Sequence, residues 1–212
     1  MKWEEFIQIA GVHPVIESRI LLTGFTHASS LQVHIGRWEK AGKLIKVKRG
    51  VYLLAGPYRR TELWEPYLAS LLKRPSYLSL EKALEYHNCI PEAVPVYTSV
   101  TPKRQASFRC PVGTFSYRHI DSSLFWGYEG HAVRGQTALI ASPEKALLDL
   151  VYLYRRKLPP GYIRELRLQN VEKFDLARLL EYARRFEKPR IIKAADSIRE
   201  HLEEVNSTER EL

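Results

Sequence analysis

Apolar residues recur with helical spacing near the start of the chain, in two consecutive segments. The first segment begins at Pro14, carries apolar residues at 15–16 and 20–22, and closes at Gly24. Proline in the first turn and glycine after the last turn are ordinary boundaries of an α-helix. The pattern therefore predicts a helix between these two residues.

A second helix is predicted after a turn in which Thr26 or Ser29 can act as the N-terminal cap. Its apolar residues Leu31, Ile35 and Trp38 recur at spacings of four and three, and we expect them to be buried. At about 100° per residue, the opposite side of the helix is exposed and polar, with Ser30 and Gln32 at its margins. This exposed side carries Ser29, Val33, Gly36, Arg37 and Lys40.

The period of the pattern then changes from helical to alternating. Residues 43–48 alternate in part between apolar and basic side chains, and residues 51–54 form a second run of strand-forming residues. Arg49 and Gly50 stand between the two runs, where glycine permits a tight turn. This segment is predicted to form a β-hairpin.

The same region concentrates positive charge. Residues 36–56 contain six Lys or Arg residues and one Glu, and residues 1–60 contain 10 basic and 4 acidic residues, a net charge of +6. Residues 61–212 hold 23 basic and 20 acidic residues, a net charge of only +3. A local positive field of this kind favours a polyanion as partner, although basic surface can also serve solubility alone.

Two helices followed by a basic hairpin are typical of a winged helix-turn-helix domain, here predicted over residues 1–57. In such a domain the second helix enters the major groove of DNA and flanking cations contact phosphates. Arg37 suits guanine and Gln32 suits adenine. A solvated basic face and a protein-interaction module remain as alternatives. The predicted DNA-binding residues are Ser29, Ser30, Gln32, Val33, Arg37, Lys40, Lys43, Lys46, Lys48 and Arg49.

Residues 61–212 are predicted to form a larger mixed α/β domain, so the whole chain belongs to the α+β class. Ser79 is placed to cap one of its helices, and Ser142 with Pro143 begins another. Helices are predicted at 62–73, 80–86, from 143 onward, 174–186 and 190–203, with strands at 95–101 and 114–120.

One group of residues in the larger domain could support catalysis. Carboxylates near a histidine can bind a metal for nuclease chemistry, which gives the alternative of a metal-dependent nucleic-acid-processing enzyme. The group consists of Glu144, Asp149, Arg118, His119 and Asp121. No glycine-rich phosphate loop or metal-ligand spacing accompanies it, so structural roles are favoured and no catalytic residue, cofactor or metal is predicted.

The cysteine content and the lengths of the apolar runs argue against several classes of protein. Cys89 and Cys110 are too few for a disulfide scaffold and too far apart for a Cys-x-x-Cys metal site. No apolar run approaches the roughly 18 residues of a membrane span, and the first residues lack the layout of a signal peptide. We therefore expect a soluble, cytoplasmic protein without a membrane partner.

Five blocks of the sequence, in order, resemble the AbiEi-type antitoxins, the regulatory half of bacterial abortive-infection toxin–antitoxin pairs. The resemblance extends from about Pro14 to Leu153 and depends on the shared order more than on any single block. The blocks are WEKAGKLIKVKRGVYLLAG, YLSLEKALEYHNCIP, VPVYTSVTPKR, GTFSYRHI and ASPEKALLDLVYL.

The resemblance implies both a function and partners. An N-terminal winged helix would repress the protein's own operon, with two copies on an inverted repeat in the promoter. A C-terminal domain, residues 61–212, would counteract a cognate toxin of the nucleotidyltransferase type. The protein would then be a transcriptional repressor and antitoxin, and not an enzyme.

Overall fold

The computed structural model describes residues 2–18, 28–154, 159 and 161–210. The chain is an α+β protein with two separate sheets. The first part of the chain contains α1 (Trp3–Ala10), β1 (Val15–Glu17), α2 (Ala28–Lys40), β2 (Leu44–Lys48), β3 (Val51–Leu54) and a 3-10 helix (Gly56–Tyr58). No helix among the described residues is long and apolar enough to cross a membrane.

The first sheet has three antiparallel strands in the order β1, β3, β2. Only Arg49 and Gly50 separate β2 from β3, and Gly50 has a φ of 82°, in the left-handed region that favours glycine. The predicted hairpin with its tight turn is therefore confirmed.

The helix predicted from Pro14 is wrong over Val15–Glu17, which form β1. Val15 packs on one face of the sheet with Val51, whereas Ile16 packs on the other face with Leu54. A run of consecutive apolar residues suits a strand that is buried on both faces, and such a run has no helical period. Ser18 is helical, and the rest of the predicted helix, residues 19–24, lies outside the described residues.

The second predicted helix is observed as α2, and its buried stripe is confirmed. Leu31, Ile35 and Trp38 are all buried, in one cluster with residues of the small sheet and of α1, a helix that the sequence pattern did not predict. The ring of Trp38 lies 4.5 Å from that of Phe6 and 5.1 Å from that of Trp3. This aromatic contact fixes which side of α2 faces inward.

The larger part of the chain surrounds a six-stranded mixed sheet in the order β6, β7, β5, β4, β9, β8, in which β5 runs parallel to β7 and β4 to β9. Its strands are β4 (Tyr77–Leu78), β5 (Val96–Thr101), β6 (Ala106–Cys110), β7 (Gly113–His119), β8 (Tyr128–Val133) and β9 (Gln136–Ala141). Its helices are α3 (Glu65–Leu72), α4 (Leu80–Tyr86), α5 (Pro143–Leu153), α6 (Tyr162–Glu165), α7 (Leu176–Arg185) and α8 (Pro189–Arg210), with short 3-10 helices at Ser122–Leu124 and Val171–Lys173.

Helix α5 lies at the centre of the main hydrophobic core. Residues 143–151 are all buried, and the helix packs against α4, α7 and α8. The Oγ of Ser142 accepts a hydrogen bond from the backbone N–H of Lys145 at 3.3 Å, which confirms the predicted cap. The helix predicted at 80–86 is observed with the same bounds, and the other helices and the two strands predicted in this region are observed with shifted boundaries.

The two parts of the chain share a hydrophobic cluster. Val15, Val51 and Leu53 of the small sheet pack in one buried group with Leu68 and Leu72 of α3. The boundary predicted between residues 57 and 61 stays a prediction, but apolar side chains from both sides of it are buried together.

Candidate nucleic-acid interface

The outward side of α2 presents four of the predicted DNA-binding residues to solvent. Gln32, Val33, Arg37 and Lys40 are exposed, and the side chain of Val33 is 55% exposed. Their exposure follows from the helical period, because the stripe buried against α1 occupies the other side of the helix. The side chains of Ser29 and Ser30 lie outside the described part of the structure.

The β2–β3 hairpin adds two further exposed cations, Lys46 and Arg49. Ile45 and Val47 alternate with Lys46 along β2 and pack inward against the shared cluster. Alternation along the strand thus holds Lys46 on the side away from the cluster. Lys43, at the start of the hairpin, is half-buried, and its Nζ lies 4.9 Å from the centre of the Trp3 ring.

The exposed cations of α2 and the hairpin have no compensating acids in the described structure. Among the described residues, the side chains of Arg37, Lys40, Lys46 and Arg49 form no ion pair and no hydrogen bond. Cations without counter-ions on adjoining elements create a positive potential over this surface. We call these four residues the basic face.

Lys48 is not part of the basic face, although it lies only two residues from Lys46, because its side chain is half-buried and has partners within the protein. Its Nζ donates hydrogen bonds to the backbone carbonyls of Leu71 and Leu72 at the C-terminal end of α3. Burial lowers its pKa, and Phe108 lies beneath its ammonium at 5.7 Å. A cation at a helix C-terminus satisfies carbonyls that lack partners within the helix. Lys48 therefore joins the two parts of the chain.

The residues considered for catalysis are separated in the structure. Asp149 is fully buried, and its Oδ2 accepts hydrogen bonds from Tyr77 at 2.9 Å and from Ser79 at 2.8 Å. Ser79 occupies the predicted N-cap position of α4, but the predicted capping bond is absent because its hydroxyl donates to Asp149 instead. Asp149 also pairs with Lys145, which lies one turn earlier on α5.

Lys145 is a fully buried charged residue that the sequence pattern did not identify as a candidate. Its ammonium is 0% exposed, donates to Asp149 and to Tyr77, and lies between the rings of Trp126 and Phe186 at 4.8 and 5.0 Å. Burial lowers the pKa of Lys145 and raises the pKa of Asp149. The spacing of four residues between Lys145 and Asp149 on α5 was the signal in the sequence that could have predicted this ion pair.

Glu144 belongs to a different buried network. Its Oε1 accepts hydrogen bonds from the backbone N–H of Asp175 at 2.8 Å and from the guanidinium of Arg178 at 3.2 Å. These contacts attach the start of α7 to the start of α5. The carboxylate is fully buried and therefore joins two helices within the core.

Arg118, His119 and Asp121 lie at a third location, at the end of β7. Arg118 donates to the backbone carbonyl of Leu153, and Asp121 caps the 3-10 helix that follows by accepting from Ser123. Arg118 and His119 line an open cleft of about 610 Å³ with the basic residues Lys188 and Arg190. The structure does not bring this group together with Glu144 or Asp149.

Both cysteines are free thiols in the described structure. Burial raises the pKa of Cys89 to about 11, which leaves it protonated at neutral pH. The nearby Nε2 of His87 lies 2.8 Å from the carbonyl of Ala141, and burial lowers the pKa of this histidine. Among the described residues, no three His, Cys, Asp or Glu side chains cluster as a metal site would require.

Comparison with known proteins adds no relative. No protein-family model matches the chain, and a search of curated proteins finds no matching sequence.

Proposed function

We propose that this chain is a DNA-binding transcriptional repressor and antitoxin, with residues 1–57 binding double-stranded DNA and residues 61–212 counteracting a nucleotidyltransferase-type toxin. The observation that carries the DNA-binding half is the basic face, where Arg37, Lys40, Lys46 and Arg49 lie exposed on adjoining elements without a counter-ion from the part of the chain that the structure describes. Phosphate contacts supply most of the affinity in sequence-independent DNA binding.

The arrangement of elements supports a winged helix-turn-helix assignment. The hairpin of β2 and β3 follows α2 directly, and β1 completes a three-stranded sheet beside it. In this proposal α2 is the recognition helix, and Arg37 and Gln32 contact base edges in the major groove. Lys46 and Arg49, on the hairpin, contact phosphates on one side of the groove.

The antitoxin half of the proposal depends on the resemblance to AbiEi-type antitoxins. The five similar blocks coincide with ordered elements, namely the β2–β3 hairpin, α4, β5, β7 and α5. The buried positions of Glu144, Lys145 and Asp149 support a structural role for the last block.

The experiment has two parts, measured in the same strain. A reporter driven by the DNA upstream of the gene measures repression, and growth during induction of the neighbouring toxin gene measures protection. We expect the wild-type chain to repress and to protect, and footprinting to reveal an inverted repeat occupied by two copies. The double variant Arg37→Ala/Lys46→Ala should lose repression and keep protection.

Each half can fail separately. A wild-type chain that leaves the reporter fully active and shows no footprint would contradict the DNA-binding half. Unchanged growth arrest in the presence of the stably expressed chain would contradict the antitoxin half.

A further inference from the structure

Gly36 occupies a half-buried position in α2 that nothing within the described protein requires to be glycine. It lies well inside the helix, and its backbone does not adopt the left-handed conformation that favours glycine. A Cβ built at this position meets no atom within 4 Å among the described residues outside its own helix. Because alanine stabilises a helix interior relative to glycine, internal conformation and packing do not account for this residue.

Val33, three residues earlier on the same side of α2, is likewise not accounted for by packing within the described protein. Its side chain is 55% exposed, and valine loses rotamer freedom in a helix while exposing apolar surface to water. Residues three apart on a helix are surface neighbours. Val33 and Gly36 thus form a flat apolar strip on α2, and Arg37 and Lys40 lie beside it.

We propose that this strip is where α2 lies closest to the floor of the DNA major groove, with the methyl groups of Val33 against the C5-methyl groups of thymine. The proposal rests on the DNA-binding half of the proposed function. Arg37 and Lys40 lie four residues after Val33 and Gly36 on the same helix and so border the strip, and a polyanionic duplex is the occupant that fits their charge. Glycine without a Cβ permits close approach, and the thymine methyl is the apolar group that the major groove offers.

The first test uses Gly36→Ala. Binding is measured by fluorescence anisotropy on the duplex that the wild-type protein enriches from a randomised pool. We expect the variant to melt about 2–4 °C higher than the wild type, because the helix is stabilised. We also expect it to bind the enriched duplex at least ~10-fold more weakly, because the added methyl separates α2 from the groove floor.

Gly130→Ala is the matched control. Gly130 lies in β8, where an added Cβ would make only an ordinary contact with Thr137 at 3.9 Å. The Gly130→Ala variant should bind the enriched duplex with the same affinity as the wild type.

The second test replaces thymine by uracil in the enriched duplex, which removes the C5-methyl groups and leaves the hydrogen-bonding edges unchanged. Wild-type affinity should fall by about fourfold for each methyl buried against Val33. Val33→Ala should bind the thymine duplex more weakly and should distinguish the two duplexes less.

The outcomes separate this inference from the function beneath it. If the wild type enriches no duplex, the DNA-binding proposal fails, and the inference fails with it. If the wild type binds tightly while Gly36→Ala binds equally well and uracil has no effect, the inference fails and the DNA-binding proposal stands.

Discussion

The cations of the basic face and the buried pair of α5 carry the same types of charge in opposite environments. Lys46 projects from a hairpin into solvent without a counter-ion among the described residues, whereas Lys145 is 0% exposed and paired with Asp149. An exposed cation costs little to maintain and is available to an outside partner. A buried cation requires internal partners, and here Asp149 and Tyr77 provide them.

In this chain the environment of a charged side chain, and not its residue type, separates side chains available for binding from side chains with a structural role. Asp149 and Glu144 have the chemistry of catalytic carboxylates, but Asp149 and the Oε1 of Glu144 accept hydrogen bonds from groups within the core. The basic face has ordinary residues whose exposure makes them available.

Removing Asp149 should give the largest effect. Asp149→Ala leaves the Lys145 ammonium buried without its counter-ion, and we expect the free energy of unfolding to fall by about 3–5 kcal/mol. Urea denaturation measures this loss. The double variant Lys145→Met/Asp149→Leu is the control, because replacing both charges by apolar residues is often neutral. A stable Asp149→Ala protein that had lost protection against the toxin would contradict the structural role.

Arg37→Ala should act on binding and not on folding. We expect a loss of roughly 1–3 kcal/mol in binding the cognate duplex, little loss on random DNA, and an unchanged melting temperature. Gln32→Ala should follow the same pattern. Binding of each variant to both duplexes measures the difference, and an equal loss on both would assign Arg37 to phosphate contact.

Lys46 and Lys48 provide a matched pair on one strand. Lys46→Ala should weaken binding to all DNA sequences alike. The slope of log affinity against log salt concentration should become smaller in magnitude by about one, because one phosphate contact is lost. Lys48→Ala should instead lower the free energy of unfolding by about 1 kcal/mol, because the carbonyls of Leu71 and Leu72 lose their donor. Salt titrations and urea denaturation of both variants test the contrast, which fails if the two variants behave alike.

His87 should give the smallest effect, visible as a dependence of stability on pH. Burial lowers its pKa in the folded protein below the value of about 6.5 in the unfolded chain. Its contribution to stability is therefore present above pH 6.5 and is lost as the pH falls through the lower, folded value. Urea denaturation between pH 7 and pH 5 should show a weaker loss for His87→Gln than for the wild type, and equal slopes would contradict the assignment.

Local patterns predicted much of the fold because their causes are local. The buried stripe of Leu31, Ile35 and Trp38 follows from helical period alone, and the turn at Gly50 follows from backbone conformation. By contrast, the strand at Val15 depends on pairing with β3, far along the chain. An apolar run carries no signal for a partner so distant, which is why a helix was predicted there.

The same limit applies to the candidate site. Exposure of Arg37 and Lys46 could be predicted from the helical and strand periods. The distinct role of Lys48 could not, because its carbonyl partners lie 23 and 24 residues further along the chain and belong to another element. Ser79 likewise donates to a carboxylate 70 residues away. Contacts made by tertiary packing leave no period in the sequence.

The salt dependence of DNA affinity tests the central claim most directly. Each phosphate neutralised by a cation contributes about −0.9 to the slope of log affinity against log salt concentration. With Lys40, Lys46 and Arg49 of the basic face engaged with phosphates and Arg37 with a base edge, the wild-type protein should give a slope of roughly −3 on its enriched duplex. A slope near zero, or one that Arg37→Ala and Lys46→Ala together leave unchanged, would contradict the account.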